Sequence, residues 1–253
     1  MKNQIKSNFG IFNNIEVWKL GGKALKDPFC IRETAENVTT AFKAPRNIVV
    51  VSAIGGITQM LISLFEAKKA DNKKEMHRIL RSFNRIHRKV VRNLFGRCDN
   101  YVACAKPFEL MFKKLNNLAY SENFDDAELY ASLLQFGELV NSNIFSMYLE
   151  MIGVPNHWFD PRPFIKTEGI NSKATLRLPE SQELISAGVT KLLEEHKTLV
   201  TAGFIASNLD SNRNSILDLD GSDDSAAIIT VGVHGRVRYI KDIDGISSDD
   251  NPI

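Results

Sequence analysis

Cysteine is scarce in this 253-residue chain: Cys30, Cys98 and Cys104 form no CxxC or CxxC…H spacing. An odd count without such spacing excludes a disulfide framework, argues against structural zinc and fits a reducing, cytoplasmic setting. Net charge is scarce too, formally +2, so there is no overall signature of a nucleic-acid or membrane partner. No long hydrophobic run exists: the longest apolar stretch, Ile48 to Phe65, is broken by Ser52, Gly55, Gly56, Thr58 and Gln59, too polar to span a membrane. The opening MKNQIKSNFG lacks the apolar core of a signal peptide. There is no GxGxxG fingerprint, and Gly21-Gly22-Lys23 fails as the end of a P-loop because the required earlier glycine would fall on Val17. Asp218-Leu-Asp220-Gly221 and Asp242-Ile-Asp244-Gly245 echo calcium loops. Isoleucine (Ile216, Ile240) would occupy the first ligand position of each and no Glu closes either loop, so no protein-held metal is expected. Repeats and low-complexity segments are absent.

What is present is an ordinary globular composition, 43% hydrophobic and 25% charged, which rules out disordered and collagen-like classes. The length admits one large domain or two small ones and buries roughly three quarters of the unfolded surface. The small net charge conceals a polarity. Glu66 to Leu115 holds 14 Lys or Arg against 5 Asp or Glu, whereas Asn208 to Ile253 holds 9 Asp against 4 Lys or Arg. Within the basic part, Ile79, Phe83, Ile86, Val90 and Leu94 keep helical spacing over residues 72–97. Without aromatic interleaving or a nucleic-acid motif, the basic side reads as the solvated face of a helical layer.

Ile15 to Leu20 reads as a strand running into Gly21-Gly22. Asn47 to Ala53 (NIVVVSA) reads as a strand buried on both faces, running into Gly55-Gly56 and a helical ITQMLISLFEAKK. A further helix is expected over Asp125 to Ile152, ended by Gly153-Val154-Pro155, and another near Pro179 to Glu195. Short strands are expected at His157 to Asp160, Thr198 to Phe204 and Val237 to Lys241. This alternation argues an α/β fold with a largely parallel sheet. Two strands ending in paired glycines at one sheet edge would offer backbone N–H groups to a polyphosphate, with Lys19 close by and an acidic C-terminal segment able to attend Mg²⁺. That pattern favours phosphoryl transfer.

VWKLGG, VVVSAIGGIT, FGELVNSNIF, HWFDPRPFIKT, VTAGFIASN, GSDDSAAII and IKDIDGISSDDNP occur in an order that resembles the catalytic domain of aspartate kinases, in the amino acid kinase family. The resemblance runs from about Glu16 to Pro252. It implies a three-layer open α/β sandwich with a helical insert at about residues 66–125, the whole of 1–253 being a single catalytic domain. It also implies transfer of the γ-phosphoryl of ATP, with Mg²⁺, to the side-chain carboxylate of aspartate, opening the route to lysine, threonine and methionine. By motif, Lys19 would stabilise the transferring group and Asp223 would hold Lys19. Gly21, Gly22, Ser52, Gly55, Gly56, Gly221 and Ser222 would line the phosphate path. Lys241, Asp242 and Asp244 would border the nucleotide. Ser52, Thr58 and Glu138 would face the substrate, Glu138 meeting its α-amino group unless it merely sits on an exposed helix face. The implied partners are a small-molecule substrate and a second copy of the chain.

Departures from the family pattern concentrate on the amino-acid pocket. Lys23-Ala24 stands where family members carry two hydroxyls. Leu219 stands where an arginine would bind the substrate carboxylate, and Asp220 replaces a glycine. Two like charges about 4 Å apart at an effective dielectric near 20 repel by about 4 kcal/mol, so Asp220 disfavours a dianionic acceptor. Lys23, Lys173 or Arg162 would be the substitute anchors, and an acceptor other than aspartate, or a non-catalytic nucleotide binder, are the alternatives. The sequence stops where family members continue into a further segment and ACT domains, so regulation by the usual feedback ligands is not expected.

Overall fold

The computed structural model describes residues 14–96, 100–170, 174–218 and 221–241, with only the backbone described for 100–104. Strands β1 (Ile15–Leu20) and β2 (Arg46–Val51) flank helix α1 (Pro28–Ala41). Four helices follow: α2 (Ile57–Lys69), α3 (Lys73–Phe95), α4 (Asn100–Ala119) and α5 (Asp126–Met151). After them come β3 (His157–Phe159), β4 (Lys166–Glu168), β5 (Thr175–Leu176), α6 (Leu178–Glu195), β6 (Thr198–Ala202), β7 (Ile205–Asn208), β8 (Asn214–Ile216), α7 (Gly221–Gly232) and β9 (Arg236–Ile240).

Five strands form a parallel sheet in the order β3-β6-β2-β1-β9. Side chains alternate across it as the pleat requires. Val49, Val51, Trp18 and Leu20 enter the core shared with α1 to α5, while Ile48, Val50 and Val17 enter the core shared with α6 and α7. This is the parallel α/β arrangement expected from the alternation of buried strands with helices, and the three-layer sandwich that the resemblance implies. Lys19 falls on the same face as Val17, toward α7, so the pleat alone aims its side chain at the start of that helix.

Helix starts follow local chemistry. Asp27, Asn72 and Asp125 cap α1, α3 and α5, their side-chain oxygens accepting from the N–H of Cys30, Glu75 and Glu128. Helix α3 buries Met76, Ile79, Leu80, Phe83, Val90 and Leu94 and turns its arginines outward, as the sequence pattern predicts. Arg88 clasps Glu109 of α4 through two hydrogen bonds. No helix among the described residues is long and apolar enough to cross a membrane.

Three features differ from the sequence expectation. The strand expected over Thr198 to Phe204 stops at Ala202, because Gly203-Phe204 turns the chain into β7. That turn feeds a second, mixed sheet, β5-β4-β7-β8, whose strands are two to four residues long and too short to leave an alternating pattern. Helices α1 and α7 answer to no helix expected from the sequence.

Candidate active site

The carboxyl ends of β1 and β2, the β6–β7 turn and the start of α7 converge on a cleft of about 370 Å³ lined by Lys19, Gly22, Ser52 to Gly56, Thr58, Glu138, Phe204, Gly221 and Ser222. The carboxyl edge of a parallel sheet is where such folds place ligands.

Glycine is required here by close approach. A Cβ on Gly22 would lie 2.9 Å from the Ala53 carbonyl oxygen, so only glycine lets the two strand-end turns meet. Gly56 has φ +84° and caps α2 with no side-chain hydrogen bond; the Ile57 N–H donates to the Ile54 carbonyl, so it is the next N–H groups of the first turn, from Thr58 and Gln59, that the helix start brings to the cleft. The start of α7 borders the same space through Gly221 and Ser222. It reaches there because Gly203 has no side chain: a Cβ on it would lie 2.7 Å from that of Ser222. Two helix N-termini and two glycine turns make an anion-binding concavity.

At its base Lys19 Nζ lies 2.6 Å from Asp223 Oδ1, and Lys241 Nζ lies 3.9 Å from Asp223 Oδ2. Asp223 Oδ1 is buried with no hydrogen-bond partner among the described residues, so the Lys19 ammonium meets it as a close ion pair. Lys19 is nearly buried, whereas the Lys241 side chain is exposed and adds little.

Glu138 is 4% exposed, which removes the reading of it as a surface charge. Burial pushes its carboxyl up to about 8, against the opposing pulls of the Ala53 N–H, its own N–H and the charge of Lys19. Its Oε2 has no hydrogen-bond partner among the described residues. A buried polar atom without a partner costs stability and calls for an explanation, and a cationic ligand group in the cleft would supply one. The α5 wall is pinned by Asn141, whose Nδ2 donates to the Ser52 carbonyl at 2.6 Å.

Lys19, Gly22, Ser52, Gly55, Gly56, Thr58, Glu138, Gly221, Ser222 and Asp223 are thus brought together. Gly21 plays a different part: its N–H donates to the Ile240 carbonyl at 2.8 Å, tying β1 to β9. Asp242 and Asp244, Leu219 and Asp220, and Lys173 lie outside the described residues. Arg162 is not a substitute anchor: it bonds Asp160 and Asn214 in a separate cavity. Lys23 is solvent-exposed and Ala24 is buried in the core. Sequence reasoning missed Phe204, which lines the cleft with φ +67°, a conformation uncommon outside glycine. Its position just after the Gly203 turn is the only signal it leaves. Gln59, the third residue of α2, was missed as well.

A family model described as "Amino acid kinase family" matches residues 14–253. The chain is 28% identical over 240 residues to the bifunctional aspartokinase/homoserine dehydrogenase 2 of Escherichia coli, covering 93% of this chain and 28% of that protein. It is 27% identical over 240 residues to the lysine-sensitive aspartokinase 3 of the same organism, covering 94% of this chain and 51% of that one. The crystal structure of E. coli aspartokinase III in complex with aspartate and ADP superposes with a TM-score of 0.79 at 27% identity, over 90% of this chain and 49% of that one. The complex of that enzyme with lysine and aspartate gives the same TM-score at 25% identity, over 89% of this chain and 48% of that one. The chain therefore spans about half or less of the relatives it matches.

Proposed function

We propose that this chain, which belongs to the amino acid kinase family, transfers the γ-phosphoryl group of ATP to the side-chain carboxylate of aspartate. The observation that carries the reading is the Lys19–Asp223 pair set beneath two glycine turns and two helix N-termini, with buried Glu138, whose Oε2 has no partner among the described residues, across the cleft. Support from outside the chain is the likeness to an aspartokinase solved with aspartate and ADP.

In the reaction a carboxylate oxygen bonds the γ-phosphorus as the bond from that phosphorus to the bridging oxygen of ADP breaks. The acceptor is already ionised at neutral pH, so no general base is needed, and none of the residues gathered in the cleft is a histidine. Lys19 would neutralise charge on the transferring group and Asp223 would keep its ammonium in place. Beyond Ile57 and Gly221, whose N–H groups already bond the Ile54 and Asp218 carbonyls, the next N–H groups at the starts of α2 and α7 would receive phosphate oxygens. Glu138 would ionise on receiving the substrate ammonium, exchanging a costly isolated carboxyl for a charge-assisted bond. Mg²⁺ would travel with the nucleotide.

The test is ADP release over a panel of amino acids, with hydroxylamine to trap an acyl phosphate. Aspartate-dependent hydroxamate that disappears in Lys19→Ala and Asp223→Ala is expected. Turnover with another acceptor alone would move the substrate assignment to a different small carboxylate. Nucleotide binding without any turnover would refute the catalytic proposal.

A further inference from the structure

A second cavity, of about 520 Å³, lies between α4, a different face of α5 and the edge strand β3, and shares no lining residue with the cleft. Its upper wall is apolar, formed by Met111, Phe136, Leu139 and Trp158. The polar end is a built network. Arg162 donates from Nε and Nη2 to Asp160 and from Nη1 to Asn214 Oδ1 at 3.1 Å, and Asn214 Nδ2 donates to Ser132 Oγ at 3.0 Å. These bonds use three of the five guanidinium N–H groups, leaving two for a ligand. The Arg162 side chain is 32% exposed, so they can be reached. Lys114 stands exposed at the rim with no ion-pair partner among the described residues. Asp160 cancels Arg162, Lys114 remains, and no other charged side chain lines the cavity, so its net charge is positive.

We propose that this cavity binds a small organic acid with an apolar body. The carboxylate would lie against Arg162 and Lys114, and the hydrocarbon or ring against Trp158 and Leu139. Size and lining match a small-molecule site, a mostly apolar wall with a few convergent polar groups. The fold stays closed without it, since Trp158 already donates its indole N–H to Ser142 Oγ at 3.0 Å.

The chain has only two tryptophans, Trp18 buried in the core and Trp158 in this cavity, so two indole N–H resonances report on binding. Labelled full-length protein would be titrated with 4-phenylbutyrate, and with 4-phenylbutyramide as its neutral counterpart. Trp158→Phe assigns the signals. A saturable shift of the Trp158 resonance is expected, at least about 10-fold weaker for the amide because the charge-assisted bond is lost. Arg162→Met would leave Asp160 without its partner and risks misfolding, so Lys114→Glu on the exposed rim is the second variant, expected to weaken binding by about 3- to 10-fold. Saturating ADP with aspartate should leave the signal in place. The proposal is overturned by an unshifted Trp158 resonance, equal affinity for acid and amide, unchanged affinity in Lys114→Glu, or displacement by ADP and aspartate. It is also overturned by a shift that follows protein concentration instead of the acid, which would assign the cavity to a contact between copies.

Discussion

Glu138→Gln is the most informative single change, because its effect on stability has a sign and a pH window set by the structure. An exposed glutamate titrates near 4.5, and burial pushes Glu138 up to about 8. Between those values the unfolded chain has released the proton and the folded protein still holds it. Stability therefore falls as pH rises, by about 1.4 kcal/mol per pH unit. Below about pH 4.5 both states are protonated and the penalty is absent, and above about pH 8 it is constant. The full window is worth about 5 kcal/mol, of which about 3 kcal/mol is already present at pH 7, against a total stability of about 5–15 kcal/mol for a domain. Glutamine keeps the shape and has no charge to desolvate. Urea unfolding of both proteins at pH 5, 6, 7, 8 and 9 should give a stability difference that grows in favour of the variant up to about pH 8 and then levels. The same variant should lose the ammonium partner and with it substrate affinity. Two curves running parallel across the series would refute the account of Glu138 as a buried, unsatisfied carboxyl.

Lys19→Ala should lower kcat by about 10²–10³-fold in the ADP-release assay while the far-ultraviolet spectrum stays native, the usual loss for one preorganised charge-stabilising group. His87, fully buried on α3 with Nδ1 2.9 Å from the Phe83 carbonyl, is held down to about 4 by burial from 6.5. The unfolded chain gains a proton first as pH falls through that window. The wild type should thus lose about 3 kcal/mol between pH 7 and 4 that His87→Leu does not lose, as read by denaturant melts. Gly22→Ala should destabilise the protein by about 1–3 kcal/mol, because its Cβ would press on the Ala53 backbone. Gly55→Ala, whose nearest neighbour would be 3.6 Å away, should melt at nearly the wild-type temperature.

Much of this site was legible in the sequence because it is local. VWKLGG and VVVSAIGG each place a strand end and a glycine turn within a few residues, and the structure has β1 and β2 ending there. The α3 pattern was equally plain, since nine buried residues recur at helical spacing over 23 residues. The second sheet was not legible, because β4 and β8 are three residues each and β5 two, too short to alternate visibly, and the β4–β7 pairing that joins its halves links Lys166 to Ser207, far along the chain. Arg162 illustrates the limit: its type suited a carboxylate anchor, yet Asp160, two residues away, claims it.

The sequence by itself determined which strands are buried on both faces, where glycine frees the backbone and which residue types are available to handle phosphate. The fold decided what only long-range packing can decide. Lys19 meets Asp223, 204 positions later, because the pleat turns it toward α7 and the missing side chain of Gly203 lets that helix start beside it. Glu138 has an upward-shifted carboxyl because α5 is sealed against β2, an environment made by neighbours and invisible in the letters FGE.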